Sequence, residues 1–344
     1  MPDTIEHVSA KLSPVRTAPA TLLPFTLGEI DVPRAPAPRV AVLIPCFNEQ
    51  ASIGKVVADF QAILPNAVIY VYDNNSTDRT RLEARAAGAL VRGERLQGKG
   101  HVVRRMFADI EADIFILVDG DDTYDPEAAP LMVSLMLEQR LDMVTAARMT
   151  DHPAAYRPGH RFGNALLSGM VRRVFGRGVS DMLSGYRAFS RRFVKSFPAL
   201  SSGFETETEF TVHALELHMP TLEIHAAYRG RRAGSSSKLH TIGDGWRILR
   251  TILQLIEHER PLQSFGAISL LLLLSGLGLG LPVVWAFLET GLVDRLPTAL
   301  LSTGLVLLSL LSLACGLVLD AVSRGRKEAK LLAYLTVKPL SGEV

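Results

Sequence analysis

Residues 114–126 read IFILVDGDDTYDP. Five apolar residues, Ile114 to Val118, end in a knot of carboxylates: Asp119, Asp121, Asp122 and Asp125. A short apolar run bounded by turn-formers reads as a buried strand. The carboxylates after it repel one another and raise each other's pKa. Such a knot needs either open solvent or a bound cation. Asp119 and Asp121 are separated by one residue, so their side chains point the same way while the chain stays extended. Two convergent carboxylates suit a hard divalent ion, and Mg²⁺ takes one or two of them plus substrate phosphate oxygens. Residues 124–126 can form the turn that follows.

Outward from this strand, apolar runs alternate with segments of helical period. RVAVLIPCFNE (39–49) is a strand entering a loop, and SIGKVVADFQAIL (52–64) is a helix with Ile53, Val56, Val57, Phe60 and Ile63 on one face. AVIYVYD (67–73) is a second strand, and TRLEARAAG (80–88) and GHVVRRMFADI (100–110) are helices. A helix over 127–140 and the strand DMVTAA (142–147) follow the quoted stretch. This alternation predicts an α/β fold, Rossmann-like, with a mostly parallel sheet and helices on both faces. Ligands of such sheets bind at the carboxyl ends of the strands, where Asp73 and Asp119 lie.

The chain has 344 residues, a formal net charge of +2 and two cysteines, Cys46 and Cys315. Basic residues are scattered, which excludes a nucleic-acid binder, and no disulfide framework is indicated. Residues 1–38, rich in Ala, Pro and Thr, read as a disordered tail; no signal peptide is recognised. The catalytic domain is placed at 39–240. Residues 241–262 form an amphipathic juxtamembrane helix with Trp246 as interface anchor. Residues 264–288 and 298–319 carry no Asp, Glu, Lys or Arg, and each can cross the roughly 30 Å hydrocarbon core. They make a two-helix transmembrane hairpin within 263–322, and 323–344 is a cytoplasmic tail. Arg247, Arg250 and Arg260 precede the hairpin, and Arg324, Arg326, Lys327 and Lys330 follow it, whereas the short link holds only Arg295. The positive-inside rule then places the catalytic domain and both termini in the cytoplasm, on a cell (inner) membrane.

One rival phosphate motif is present. GERLQGKG (93–100) nearly matches a P-loop, but Gly100 stands where the metal-binding hydroxyl belongs. The glycines instead let the chain turn into a helix, with Lys99 near phosphate. The histidines show no metal-ligand spacing.

VLIPCFNE, VYDNNSTD, GKG, VDGDD, DMLSGYRAF, GFETETE and YRGRRAGSSSKL occur in that order. Together they resemble family 2 glycosyltransferases of the GT-A fold, over about residues 39–260. Specifically, they resemble the polyprenyl-phosphate branch, which includes dolichyl-phosphate mannose synthases and bacterial polyprenyl-phosphate glucosyltransferases. The resemblance implies that Pro45, Asn48 and Glu49 line the nucleotide pocket, that Asp73 binds base or ribose, and that Lys99 lies by the donor. It makes Asp119 and Asp121 the D-x-D pair that contacts ribose and metal-bound diphosphate, with Mg²⁺ or Mn²⁺ as cofactor. Arg148 and Arg161 would grip the acceptor phosphate. Asp181, Ser184 and Arg187, in D-x-x-S-G-x-R, would lie close to the reacting centre, with Glu205 and Glu207 in the next motif. Arg231, Ser237 and Lys238 would belong to a loop near the membrane. Two departures are visible: DGDDT stands for D-A-D-L-Q, and DNNST for D-D-G-S-S.

The implied activity is transfer of a sugar from a nucleotide-diphosphate donor to polyprenyl phosphate, with inversion. UDP-glucose or UDP-N-acetylglucosamine is the first expectation for the donor and GDP-mannose the next. Membrane lipids are further partners, and a homo-oligomer is allowed. The alternatives are a polysaccharide-extending synthase and a non-catalytic sensor of nucleotide sugars. The first usually carries Q-x-x-R-W, which is absent here; the intact D-x-D and D-x-x-S-G-x-R argue against the second.

Overall fold

The computed structural model describes residues 37–149, 181–203, 205–230 and 261–340. Nearly all of the expected N-terminal tail and juxtamembrane helix, together with Arg161, Arg231, Ser237 and Lys238, lie outside them.

Strands β1 (Val40–Cys46), β2 (Val68–Asp73), β3 (Leu90–Gly93), β4 (Ile114–Leu117), β5 (Met143–Met149), β6 (Arg187–Ser190) and β7 (Thr221–Ala227) form one sheet of order β3-β2-β1-β4-β6-β5-β7. β1 pairs in parallel with β2 and β4, and Cys46 stands opposite Asp73. β6 runs antiparallel between β4 and β5, and β7 is parallel to β5. The sheet is therefore parallel apart from one inserted strand. β3, β6 and β7 were not expected as strands: β3 is only four residues long and β6 hides inside a motif quoted for its chemistry.

β1 shows why the strands read as continuous apolar runs. Val42, Ile44 and Cys46 pack on one face with α1 (Ile53–Ile63) and α4 (Ala128–Glu138), whereas Ala41 and Leu43 face the other way. On that second face lie α3 (Lys99–Asp109), α5 (Arg191–Ser196) and α6 (Thr206–Glu216), around Phe107, Phe115, Phe189, Phe193 and Phe210. With both faces covered, period-2 alternation has no polar side to show. α2 (Thr80–Ala86) completes the first face with buried Ala84.

Two helices, α7 (Pro261–Thr290) and α8 (Leu296–Thr336), are long and apolar enough to cross a membrane. Small residues line their contact. Ser302, Ser309, Gly316 and Ser323 recur every seven positions and are buried along α8, as are Ser269 and Gly276 along α7. Close approach lets Ser302 Oγ donate to the Gly276 carbonyl at 2.9 Å and Ser312 Oγ to that of Phe265 at 3.0 Å. Ser269 and Ser309 meet at 3.1 Å. Small residues and hydroxyl pairs are what apolar helices use to associate where burial from water gives no drive. The boundary drawn at 322 marks the end of apolar composition and not of the helix: α8 continues to Thr336, because residues 326–332 are good helix formers and Lys330 and Tyr334 reach Glu216 and Asp142 of the catalytic domain.

Candidate active site

β2, β1 and β4 are adjacent and parallel, so Asp73, the loop after Cys46, and Asp119–Asp121 are delivered to one edge. Asp73 is buried; its Oδ2 accepts from the Ser76 amide at 3.2 Å and lies 3.7 Å from Arg81 Nε, while Oδ1 meets no partner among the described residues. A buried carboxylate oxygen left in this way is costly unless a ligand donates to it. Pro45 stands opposite Tyr72, one position before the β1 pairing ends at Cys46 and Asp73. Asn48 adopts φ +53°, and its side chain accepts from the Thr77 amide at 2.8 Å. Glu49 is buried, and its amide donates to Thr80 Oγ1. Both loops are thus pinned to each other.

Asn74, in the departing motif DNNST, has a defined task. Its amide nitrogen donates to the Glu94 and Leu96 carbonyls at 3.0 and 2.8 Å, and its carbonyl accepts from the Gly98 amide at 2.7 Å. It ties the β2 end to the turn that presents Lys99. Gly98 has φ +132°, a left-handed conformation that favours glycine. At Gly100 a Cβ would strike the Ser201 carbonyl, and the Gly100 amide donates to the Ser202 carbonyl at 3.1 Å. G-K-G is therefore a close-packing device against the loop before α6, and no P-loop forms.

Lys99 is enclosed by acid. Its Nζ lies 2.6 Å from Asp119 Oδ1 and 2.5 Å from Glu207 Oε1. Burial works against its charge, but Asp119 and Glu207 outweigh burial and hold its pKa above the ordinary lysine range. The lysine that the resemblance placed by the donor is thus tied to the D-x-D pair itself. Asp121 is 3% exposed and faces elsewhere: its Oδ1 accepts from Thr123 Oγ1 at 2.6 Å and from the Thr123 amide at 3.3 Å. Thr123, the other departure, is the residue that orients Asp121. Asp122 sits at φ +58° and pairs with Lys55 at 2.9 Å. Asp125 pairs with Arg229 at 3.1 Å. The local field is acidic: burial, then Glu49, Asp73, Asp119 and Asp121, push the Cys46 thiol well up. Among the described residues no group of three or more His, Cys, Asp or Glu gathers to hold a metal unaided.

Asp181 and Arg148 form the second centre. Asp181 accepts from Arg148 Nε at 2.7 Å, from its terminal nitrogen at 2.8 Å and from its backbone amide at 3.1 Å. Burial disfavours the Asp181 charge, but Arg148 outweighs it and holds the carboxyl below its ordinary value. The Arg148 guanidinium stacks 5.6 Å from the Tyr228 ring centre. The ion-pair partner of Asp181 is thus Arg148, from β5. Arg187 is fully buried and donates to the carbonyls of Ser184 at 3.0 Å and Met182 at 2.6 Å, and to Thr211 Oγ1 at 2.9 Å. Burial lowers its pKa to about 10. Ser184 is also fully buried, its hydroxyl directed to the Ala146 carbonyl at 2.5 Å. Both residues shape the 181–187 turn from inside, because a tight turn over a sheet must satisfy its carbonyls internally; neither opens onto the site edge.

Gly185 joins the two centres. A Cβ there would strike Asp119 Oδ2 and stand 3.1 Å from Lys99 Nζ. Its amide donates to Tyr124 Oη at 2.8 Å. Tyr124 packs edge-on to Tyr186 and Tyr228, with ring centres 5.4 and 5.2 Å away. Pattern reading missed Tyr124 and Tyr228, since a tyrosine beside a motif carries no signal of which loop it will clasp.

The chain matches the family described as Glycosyl transferase family 2 over residues 41–197. The glycosyltransferase AglJ of Haloferax volcanii is 31% identical over 299 residues, covering 86% of this chain and 98% of that protein. This chain is a family 2 glycosyltransferase. A second relative of this glycosyltransferase, from the same organism, is a dolichyl-phosphate hexose transferase, 27% identical over 64% of this chain and 95% of its own. In structure the enzyme is similar to glucosyl-3-phosphoglycerate synthase from Mycobacterium tuberculosis, solved with Mn²⁺, UDP-glucose and phosphoglyceric acid. That likeness has a TM-score of 0.53 at 22% identity, covers 64% of this chain and 80% of the other, and shows the shared GT-A fold.

Proposed function

We propose that this glycosyltransferase is membrane-bound and moves a sugar from a nucleotide-diphosphate donor to polyprenyl phosphate at the cytoplasmic face, with inversion. The observation that carries the reading is the pairing of an acidic donor edge with an arginine-bearing centre in a chain that also has two membrane-length helices. A diphosphate donor cannot approach Asp119, Asp121, Glu49 and Asp73 without positive charge beyond that of Lys99. The donor set is all oxygen and fits Mg²⁺ or Mn²⁺, with Asp121 as the principal ligand and Asp119 beside it. When bound, the ion supplies charge to the leaving diphosphate. Asp73 takes the base or ribose through its unmet oxygen, with Asn48 and Glu49 shaping that pocket.

The lipid acceptor is a phosphate monoester with a second pKa of about 6, so it is largely dianionic near neutrality. Such a nucleophile needs no strong base, which suits Asp181, a carboxylate held ionised and hence weakly basic. Its part is to aim Arg148, whose guanidinium orients the acceptor phosphate for in-line attack at the anomeric carbon. Arg161, Arg231, Ser237 and Lys238 are proposed to complete the acceptor side. The name of the dolichyl-phosphate relative supports the acceptor class. UDP-glucose and UDP-N-acetylglucosamine are the donors to test first, then GDP-mannose. The decisive assay incubates purified protein with labelled donor, Mg²⁺ or Mn²⁺, and a short polyprenyl phosphate. Metal-dependent label in the organic phase is expected; no lipid-linked product with any nucleotide sugar would overturn the reading.

A further inference from the structure

The cytoplasmic half of α8 holds the catalytic domain at two points. An α-helix rises 1.5 Å per residue, so the part of α8 beyond Asp320 projects about 25 Å past the apolar stretch. On it, Lys330 Nζ lies 2.6 Å from Glu216 Oε2 and Tyr334 Oη donates to Asp142 Oδ2 at 2.7 Å. Asp142 is fully buried, and its other oxygen accepts from Ser190 Oγ at 2.6 Å and Arg192 Nε at 2.7 Å. The Arg192 guanidinium lies 4.6 Å from the Tyr334 ring centre. Beyond the helix, Leu340 is buried in the core on the opposite face of the sheet.

Both anchor points sit on elements that run straight to the active site. Asp142 immediately precedes β5, which bears Arg148 near its far end. Glu216 closes α6, which bears Glu207, the partner of Lys99, in its first turn. A surface salt bridge alone would mean little, but Glu216 and Asp142 are both buried, and their partners cannot leave without stranding a charge.

We propose that the α8 extension is a strut that sets the height and tilt of the active site over the bilayer, with Tyr334, Lys330 and Arg192 as positioning residues for the lipid-borne acceptor. This rests on the polyprenyl-phosphate reading above. A soluble donor reaches the site from water in any orientation of the domain, whereas an acceptor phosphate fixed at headgroup depth does not. Loosening the strut therefore raises KM for the membrane-embedded acceptor and leaves donor binding and short soluble acceptors unaffected.

The test uses full-length protein in nanodiscs. Tyr334→Phe and Lys330→Glu should each raise KM for long-chain polyprenyl phosphate at least fivefold. KM for a short, water-soluble isoprenyl phosphate and the donor Kd should stay within twofold. Adding Glu216→Lys to Lys330→Glu should restore the long-chain KM. An independent readout needs no activity: a fluorophore at Glu138→Cys, on exposed α4 surface, should show a broader transfer-distance distribution to headgroup-labelled lipid in Lys330→Glu, narrowing again in the charge-swapped pair. Equal loss with both acceptors, or unchanged long-chain KM together with an unchanged distance distribution, would overturn the strut. If wild-type protein makes no lipid-linked product, the acceptor reading fails while the distance measurement still decides the strut.

Discussion

Asp119 and Asp121 stand two positions apart yet keep different company. Asp119 is bound to a buried lysine, and Asp121 is held by Thr123 at a buried edge. Asp121→Ala should abolish transfer, measured as label in lipid, with the melting temperature little changed. Asp125→Ala removes only a partly exposed pair with Arg229, worth at most about 1 kcal/mol, and should leave turnover within about twofold. Gly185 is the other sensitive residue. Gly185→Ala places a methyl group against Asp119, and a misplacement of about 1 Å near the chemistry costs on the order of 100-fold. We expect kcat to fall by 10- to 100-fold with the circular dichroism spectrum retained; unchanged kcat would show that Asp119 need not stand where it does. That Asp119 and Asp121 follow the carboxyl end of a buried strand was legible from sequence, because a short apolar run ending in carboxylates marks that end. The clasp from Gly185 to Asp119 was not, because it joins loops 66 positions apart.

At the scale of elements, α6 carries information in both directions. Its first turn holds Glu207 and its last holds His213 and Glu216. His213 is buried among Phe193 and Phe197, its Nε2 3.0 Å from Ser196 Oγ. Burial, then the nearby Lys330, lower its pKa to about 3. In the unfolded chain it titrates near 6.5. Between those values the unfolded state binds the extra proton, so stability is full above about pH 6.5 and is lost as pH falls toward 3. His213→Gln should flatten the decline in melting temperature between pH 6.5 and 4; an unchanged slope would place the acid sensitivity elsewhere. The helices α1, α3 and α4 were legible from periodicity. β3 and β6 were not, since LVRG and RAFS lack the continuous apolar run that marks the equally short β4, IFIL.

Across the whole molecule, charge and hydropathy argue for one topology. We expect a reporter fused after residue 344 to be active in the cytoplasm and one inserted in the link after Thr290 to be active only outside; the reverse pattern would invert the proposed orientation. In the proposed arrangement the same long helix that ends the apolar pair carries the strut, so membrane insertion and active-site height become one structural problem. The alternation of strands and helices, the acidic strand end and the two apolar spans are local properties of composition and period, and the sequence by itself determined them. Tertiary structure decided that Lys99 neutralises Asp119, that Arg148 and not Arg187 holds Asp181, that Ser184 and Arg187 face inward, and that α8 docks on Asp142 and Glu216. Each of these pairs groups far apart in the chain, and which charge meets which depends on the packing of a shared core, which no local pattern encodes.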